Sequence, residues 1–285
     1  MVFPASGMGR SRQPCLNGVM SKETKKLRLG IVGLGAMGNP HIGFALNTPE
    51  VELTALCDSD PARFDKAREA HFNPAGNGEP TAPVSFSARP LATPQVVREC
   101  PPTFANATAM LDSGLIEAIL IATPHYDHEP IAIAAFERGI HVLCEKPLMV
   151  TVQGARRMLA AWEKGKQKKP DLVFAEMFMQ RTWTHWKKIK QLIDEGELGR
   201  IFRATWIVTD WFRTEQYYKS GGWRATWNGE GGGVLTNQCP HNLDLLQWFL
   251  GMPKTINAFG GLGKHHVIDV EDEVSAPLAA AFVSG

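Results

Sequence analysis

Up to Ala175, short unbroken apolar runs recur between longer stretches of helical spacing. Runs of that length are strands buried on both faces, the mark of a parallel sheet covered by helices. They predict strands at Lys26–Val32, Val51–Cys57, Glu117–Ala122, Ile140–Cys144 and Asp171–Ala175, with a very short one around Phe104. Helical spacing follows the glycines after Val32 to about Leu46, then resumes from Pro61, over Asn106–Ser113 and Glu129–Arg138, and from Thr151 to about Lys164. Strands alternating with helices imply an α/β chain with a doubly wound, Rossmann-type parallel sheet.

Beyond Ala175 the rhythm changes. Thr182–Glu195 is an amphipathic helix closed by Gly196 and Gly199, and Arg200–Trp211 alternates with period two. Thr255–Phe259 and Glu273–Val283 are also strand-like, and Val234–His241 leads into a helix ending at Leu250. Successive strands after βα units predict a second α/β domain on an open, mostly antiparallel sheet. Ser284–Gly285 reads as a hairpin turn whose returning strand is missing, so that sheet is expected to be truncated or short. The expected division is a tail at 1–26, a dinucleotide-binding domain at 27–147 joined by the strand at 171–175, and a second domain at 148–285.

Three stretches break the pattern. Residues 1–26 mix Gly, Pro, Ser and Arg without period and lack a signal peptide's apolar core, so they are expected to be disordered, with Met20 a candidate start. Residues 73–102 hold seven prolines and read as a long loop near the adenine side of the fold. The basic run Lys164–Lys169 reads as a solvated turn.

Composition narrows the function classes. A 285-residue chain with 44% hydrophobic residues can bury a substantial core. A net charge of +1 gives no global attraction to nucleic acid or membrane, and no apolar run is long enough to span a bilayer. The five scattered cysteines, Cys15, Cys57, Cys100, Cys144 and Cys239, form no CxxC pair and point to reduced thiols in a cytoplasmic setting.

Candidate chemistry begins at Gly33, Gly35 and Gly38, a G-x-G-x-x-G run between a strand and a helix. Gly33 suits the tight turn, Gly35 lets backbone approach a pyrophosphate, and Gly38 allows close helix–strand packing. Asp58 ends the next strand, where an acid bonds the adenosine ribose; capping the helix at Pro61 is the competing role, which Asp60 also suits. Two nearby acids disfavour a 2′-phosphate and favour NAD, while Ser59 leaves NADP open. His125 and His128 are three apart, but no thiolate or carboxylate accompanies them at ligand spacing, so a polar loop beside the nicotinamide and substrate is expected and no metal. Lys146 closes a strand at the sheet's carboxyl edge, where such sheets bind ligands, and Lys146–Pro147 is a candidate cis bond. Gly221–Gly233 suits either a loop wrapped on a sugar ring or one that buries its own tryptophans. His241, following this glycine run with Asn237 four residues before it, is an acid/base candidate.

Together these residues resemble the Gfo/Idh/MocA oxidoreductases, the enzymes like glucose–fructose oxidoreductase and inositol dehydrogenase. The resemblance runs from Leu27 to Gly285 and rests on Gly33–Gly38, Ala122–Pro124 with His128, Glu145–Pro147, Gly231–Gly233 and His241–Asp244. It implies a Rossmann domain followed by an α/β domain whose sheet forms the substrate site and, commonly, the oligomer interface. It implies cofactor contacts at Gly33, Gly35, Ala36, Met37 and Gly38, at Asp58 and Ser59, and at Thr123, Pro124, His128, Glu145 and Lys146. Lys146 and His241 then flank the reacting carbon, with Asn237 fixing the histidine tautomer. Relatives carry an acid or an amide at this last position; an amide cannot stabilise imidazolium as a carboxylate does. Arg213, Tyr217, Tyr218, Trp223, Arg224 and Asp244 are the expected substrate contacts. Relatives also continue past Gly285.

The expected activity is hydride transfer between NAD, with NADP as alternative, and a secondary alcohol of a sugar, polyol or related cyclic substrate, in a homo-oligomer formed through the C-terminal sheet. Two alternatives stand beside it: an NAD-dependent glycosidase working by oxidation and elimination with retained cofactor, and a non-catalytic dinucleotide sensor.

Overall fold

The computed structural model describes residues 25–73, 98–209 and 213–280. The tail before Lys25, with Cys15 and Met20, most of the proline-rich stretch, Trp211 and the Ser284–Gly285 turn lie outside the described residues.

The first half is a run of βα units. β1 (Leu27–Val32) leads into α1 (Gly38–Leu46), and β2 (Val51–Cys57) into α2 (Pro61–His71). There follow β3 (Thr103–Phe104), α3 (Ala107–Leu111), β4 (Ala118–Ile121), a 3-10 turn at His125–Asp127 and α4 (His128–Glu137). β5 (His141–Cys144), α5 (Val152–Lys168) and β6 (Phe174–Glu176) complete the set. Local chemistry sets the helix starts: Asp60 accepts from Ala62 N–H ahead of Pro61, and Asn106 and Thr151 cap α3 and α5 in the same way.

All six strands are parallel, in the order β3-β2-β1-β4-β5-β6. Neighbouring residues along each strand serve opposite faces. Ile31, Leu56 and Leu120 pack with Ile42 and Ala45 of α1 and Ala67 of α2. Val32, Cys57, Ile121 and Cys144 join Met110, Ala132, Phe136 and Met158 from α3, α4 and α5. Ile31, Ile42, Leu56 and Ile119 are completely buried, and each such side chain contributes about 1.5–3 kcal/mol. The strand order reverses between β1 and β4, which opens a crevice at the strands' carboxyl ends.

The second half holds α6 (Thr184–Asp194), α7 (Glu215–Lys219), α8 (Pro240–Leu250), β7 (Pro253–Ile256), β8 (Phe259–Leu262), β9 (Glu271–Ser275) and β10 (Leu278–Ala280). Its strands are antiparallel, as expected, but they form two separate ribbons, β7 with β10 and β8 with β9. The expected strand at Arg200–Trp211 is absent among the described residues: 201–209 pair with nothing there. Its alternation is real, but a strand needs a hydrogen-bonded neighbour, and Phe202 and Ile207 stand 81% and 77% exposed. Trp206 still packs, 5.4 Å from Trp186 on α6 and stacked at 6.2 Å on Phe249 of α8.

Three further expectations change. The run Thr255–Phe259 breaks at Asn257, whose N–H turns to Pro277 O, and Pro277, with no N–H of its own, separates β9 from β10. The basic run Lys164–Lys169 is not a turn but the last turn of α5 and its cap. Lys166 there lies 4.6 Å over the Trp162 ring, and Lys169 Nζ donates to Gly139 O. Among the described residues no helix is long and apolar enough to cross a membrane.

Candidate active site

The glycine run forms a cradle at the crevice. Gly33 adopts φ +88°, and a Cβ there would lie 2.6 Å from Ala122 O. At Gly38 a Cβ would fall 1.7 Å from Gly33 O, so α1 meets the turn at backbone distance. Gly35 is different, since its Cβ would meet only Arg63 Nη1 at 3.4 Å. α1 starts without a side-chain cap at Met37, and Ala36 and Met37 are exposed on the cradle's lip. Open space over Gly35 and an uncapped helix start fit a pyrophosphate.

Asp58 faces this turn. Its Oδ2 accepts from Leu34 N–H at 2.7 Å and its Oδ1 from Asp60 N–H at 2.9 Å, with Arg63 Nε 3.8 Å away. Each oxygen keeps a second lone pair, so bracing the turn and holding a ribose hydroxyl are compatible. Asp60, not Asp58, caps α2. Ser59 is exposed beside them.

The carboxyl ends of β4 and β5 build the centre. The Lys146–Pro147 peptide is cis. Lys146 Nζ donates to Asn237 O at 2.7 Å and to Asn237 Oδ1 at 2.9 Å, which ties the sheet edge to the segment before α8. Burial pushes its ammonium below the usual lysine range and Arg224 and Arg213 act in the same direction, against Glu145 and Glu230. Glu145 is buried, with Oε1 2.7 Å from His41 Nε2 and Oε2 accepting from Lys146 N–H at 3.2 Å. Burial raises its carboxyl, but the His41 bond and the charges of His41 and Lys146 outweigh it and hold the group below the usual range.

The Thr123–His128 segment packs against this centre. His128 is completely buried, its ring nitrogens 3.0 Å from Pro147 O and 3.1 Å from Thr123 O, so it joins two loops instead of facing the crevice. Burial lowers its pKa. His125 donates through Nδ1 to Glu230 O at 2.7 Å, and burial first among causes lowers it to about 4. Thr123 Oγ1 is buried without a hydrogen-bond partner, and Pro124 is exposed beside it. Among the described residues no group of three or more His, Cys, Asp or Glu is placed to hold a metal ion.

His241 enters from the first turn of α8, 5% exposed and edge-on to Phe178 at 5.9 Å. Its Nδ1 is buried without a partner. Burial, then the charge of Lys146, brings it down to about 4, against opposing pulls from Glu145 and Asp244. Above pH 5 the ring is therefore neutral. Asn237 does not fix its tautomer, contrary to the four-residue spacing. α8 begins only at Pro240, so the two residues share no continuous helix, and the amide bonds Lys146, Glu230 and Tyr217 instead. Asp244 is held by Arg181 through two bonds of 2.7 and 2.5 Å. Nearby, burial first and then the charge of Asp244 raise Glu176, at the end of β6, to about 7.

The glycine–tryptophan loop closes the other side. Arg224 lies 4.5 Å over Tyr217 and 4.7 Å over Trp223, and its Nη1 donates to Tyr217 Oη at 2.7 Å. Trp223 stands edge-on to His125 at 5.2 Å. Tyr218 meets His266 at 5.0 Å, and Arg213 lies 4.9 Å over Tyr217. Trp223 is partly buried, whereas Trp227 is 52% exposed with its Nε1 bonded to Asp269 O. The loop thus buries part of one tryptophan and leaves the other exposed.

Lys146, Asn237, Tyr217 and Arg224 thus form one hydrogen-bonded cluster, whereas His128 and Asp244 are tied into the scaffold. Sequence reading missed Glu230, His41, Glu176 and Arg181. The only local signal for Glu230 was an acid inside a glycine run; His41 and Arg181 carry none, because their partners are 104 and 63 residues away.

Comparisons with known proteins agree with this fold. Residues 27–169 match a family model described as "Oxidoreductase family, NAD-binding Rossmann fold", and residues 186–281 match the GFO/IDH/MocA C-terminal domain. Among curated proteins, inositol 2-dehydrogenase from Corynebacterium glutamicum is 26% identical over 80% of this chain and 55% of its own length. Levoglucosan dehydrogenase from Pseudarthrobacter phenanthrenivorans is 28% identical over 90% of this chain and 65% of its own. The WlbA dehydrogenase from Bordetella pertussis, solved with NADH and UDP-GlcNAcA, superposes at a TM-score of 0.69 with 26% identity, covering 89% of this chain and 66% of that one. The chain therefore spans between half and two thirds of the length of these relatives.

Proposed function

The chain belongs to the GFO/IDH/MocA oxidoreductase family, and on that premise we propose that it transfers a hydride between a nicotinamide cofactor and a secondary alcohol of a sugar, polyol or related cyclic substrate. The observation that carries this reading is the Lys146–Asn237 contact at the sheet's carboxyl edge, with the buried His241 near enough to feel the charge of Lys146. The cradle of Gly33, Gly35 and Gly38 would hold the pyrophosphate, with Asp58 at the ribose. Asp58 and Asp60 favour NAD over NADP, because carboxylates at the ribose repel a 2′-phosphate. When bound, the nicotinamide supplies the carbon that exchanges hydride with the substrate.

The chain's own residues orient the substrate and handle the proton. Lys146 donates to the reacting oxygen, an interaction that strengthens as negative charge develops there. His241, already neutral, accepts the hydroxyl proton during oxidation and returns it during reduction. Arg213, Arg224, Tyr217 and Trp223 would line the substrate side. In this reading residues 27–147 with β6 form the dinucleotide domain, the remainder forms the substrate domain and a homo-oligomer interface, and the enzyme works in the cytoplasm. The four described cysteines are free, which accords with that compartment.

Lys146→Met tests the assignment. Turnover should fall by roughly 100-fold or more while NAD binding persists; a variant keeping more than a few per cent of activity removes Lys146 from the mechanism. The assay is a screen of sugars, polyols and glycosides with NAD and NADP, following absorbance and product mass together. Cleaved product without free NADH would replace net oxidation by redox-assisted cleavage.

A further inference from the structure

The amide at Asn237 poses a problem that only the fold resolves. An amide can present either its oxygen or its NH₂ group to a neighbour, and an NH₂ facing the Lys146 ammonium would set donor against donor. The observed orientation places Oδ1 on Lys146 Nζ at 2.9 Å and Nδ2 on Glu230 Oε1. Glu230 is 1% exposed, and its second oxygen accepts from Ala225 N–H at 2.6 Å. Arg224 Nη1 lies 3.7 Å from Oε1, which keeps the carboxylate charge balanced.

We propose that Glu230 is the positioning residue of this site: the buried carboxylate that locks Asn237 as an acceptor and supplies Lys146 with the negative charge that an amide lacks. The proposal deepens the function above and rests on its assignment of Lys146. Lys146 feels the Glu230 charge directly, as one of two carboxylates opposing the effect of burial. A carboxylate alone satisfies both neighbours of residue 230, because each needs an acceptor. A glutamine there would offer its oxygen to either Ala225 N–H or Asn237 Nδ2 and would face the other with NH₂. Its least costly arrangement flips Asn237 and turns an NH₂ toward Lys146.

The test moves the charge from one residue to the other. Glu230→Gln, Asn237→Asp in that background, and the wild type are compared by titrating the Lys146 Nζ resonance in ¹⁵N-lysine-labelled full-length protein, assigned by its loss in Lys146→Arg. Glu230→Gln should lower the Lys146 midpoint by about one pH unit or more, and the double variant should restore it, since aspartate accepts from Lys146 and from glutamine alike. With a substrate from the screen, kcat should fall about 10- to 100-fold in the single variant, the size of a lost bond to a charged group, and recover in the double. Both variants carry the same amide at residue 230, so a purely structural defect persists in both. An unchanged midpoint in Glu230→Gln, or a lowered midpoint or loss of folding that Asn237→Asp does not repair, overturns the proposal. The titration needs no substrate, so its result stands even if the screen finds no oxidation.

Discussion

Replacing Gly38 with alanine should strike the fold and the cofactor site together, by an amount the structure sets. The added Cβ would sit 1.7 Å from Gly33 O, and ordinary contact begins at 3.4 Å, so helix and turn must part by about 1.7 Å. The turn cannot yield backwards, because the Cβ direction of Gly33 is closed by Ala122 O at 2.6 Å. α1 must move outward, and that loosens the completely buried Ile42 from Ile31, Leu56 and Leu120 and strains the His41–Glu145 pair. Overpacking of this kind costs about 1–3 kcal/mol, occasionally more. Displacing the helix start also removes hydrogen bonds to the phosphates, worth roughly 10- to 100-fold in NAD affinity. Gly35→Ala is the internal control: its Cβ finds open space apart from Arg63, so stability should be unchanged while NAD binding weakens. Urea unfolding and calorimetric NAD titration on both variants check the pair. Gly38→Ala unfolding at the wild-type midpoint with wild-type NAD affinity would refute the close packing of helix on turn.

Acid should destabilise the protein between pH 6.5 and 4. His125 and His241 are each lowered to about 4, so between those values the unfolded chain binds protons that the folded one refuses, and stability falls as pH falls. The loss approaches about 3 kcal/mol for each, it is complete below pH 4, and His241→Gln should flatten the slope of urea-measured stability against pH. Arg181→Met should cost about 2–3 kcal/mol, less than a fully buried pair because the guanidinium is 39% exposed, since it leaves Asp244 at 7% without its partner. Adding Asp244→Asn should recover most of that loss in the same unfolding assay.

Much of the first domain is legible locally. Unbroken apolar runs, glycine spacing and the Asp60 cap each act within a few residues, so their outcome follows from steric and hydrogen-bonding rules that tertiary context rarely reverses. The second half is less so. Residues 201–209 alternate like a strand, yet pairing depends on a neighbour that periodicity does not encode. Asn237 was expected to fix the His241 tautomer, but α8 starts between them and the amide bonds Lys146, Glu230 and Tyr217 instead.

The sequence by itself determined the parallel sheet, the phosphate cradle and the presence of Lys146 at a strand's carboxyl end, because each is a property of a short segment and its period. Only the tertiary structure decided what Lys146 touches. Asn237 arrives from 91 residues away, and Glu230 reaches that amide from within a glycine loop. A side chain's charge and protonation depend on which groups burial brings against it, and burial joins segments that lie far apart along the chain.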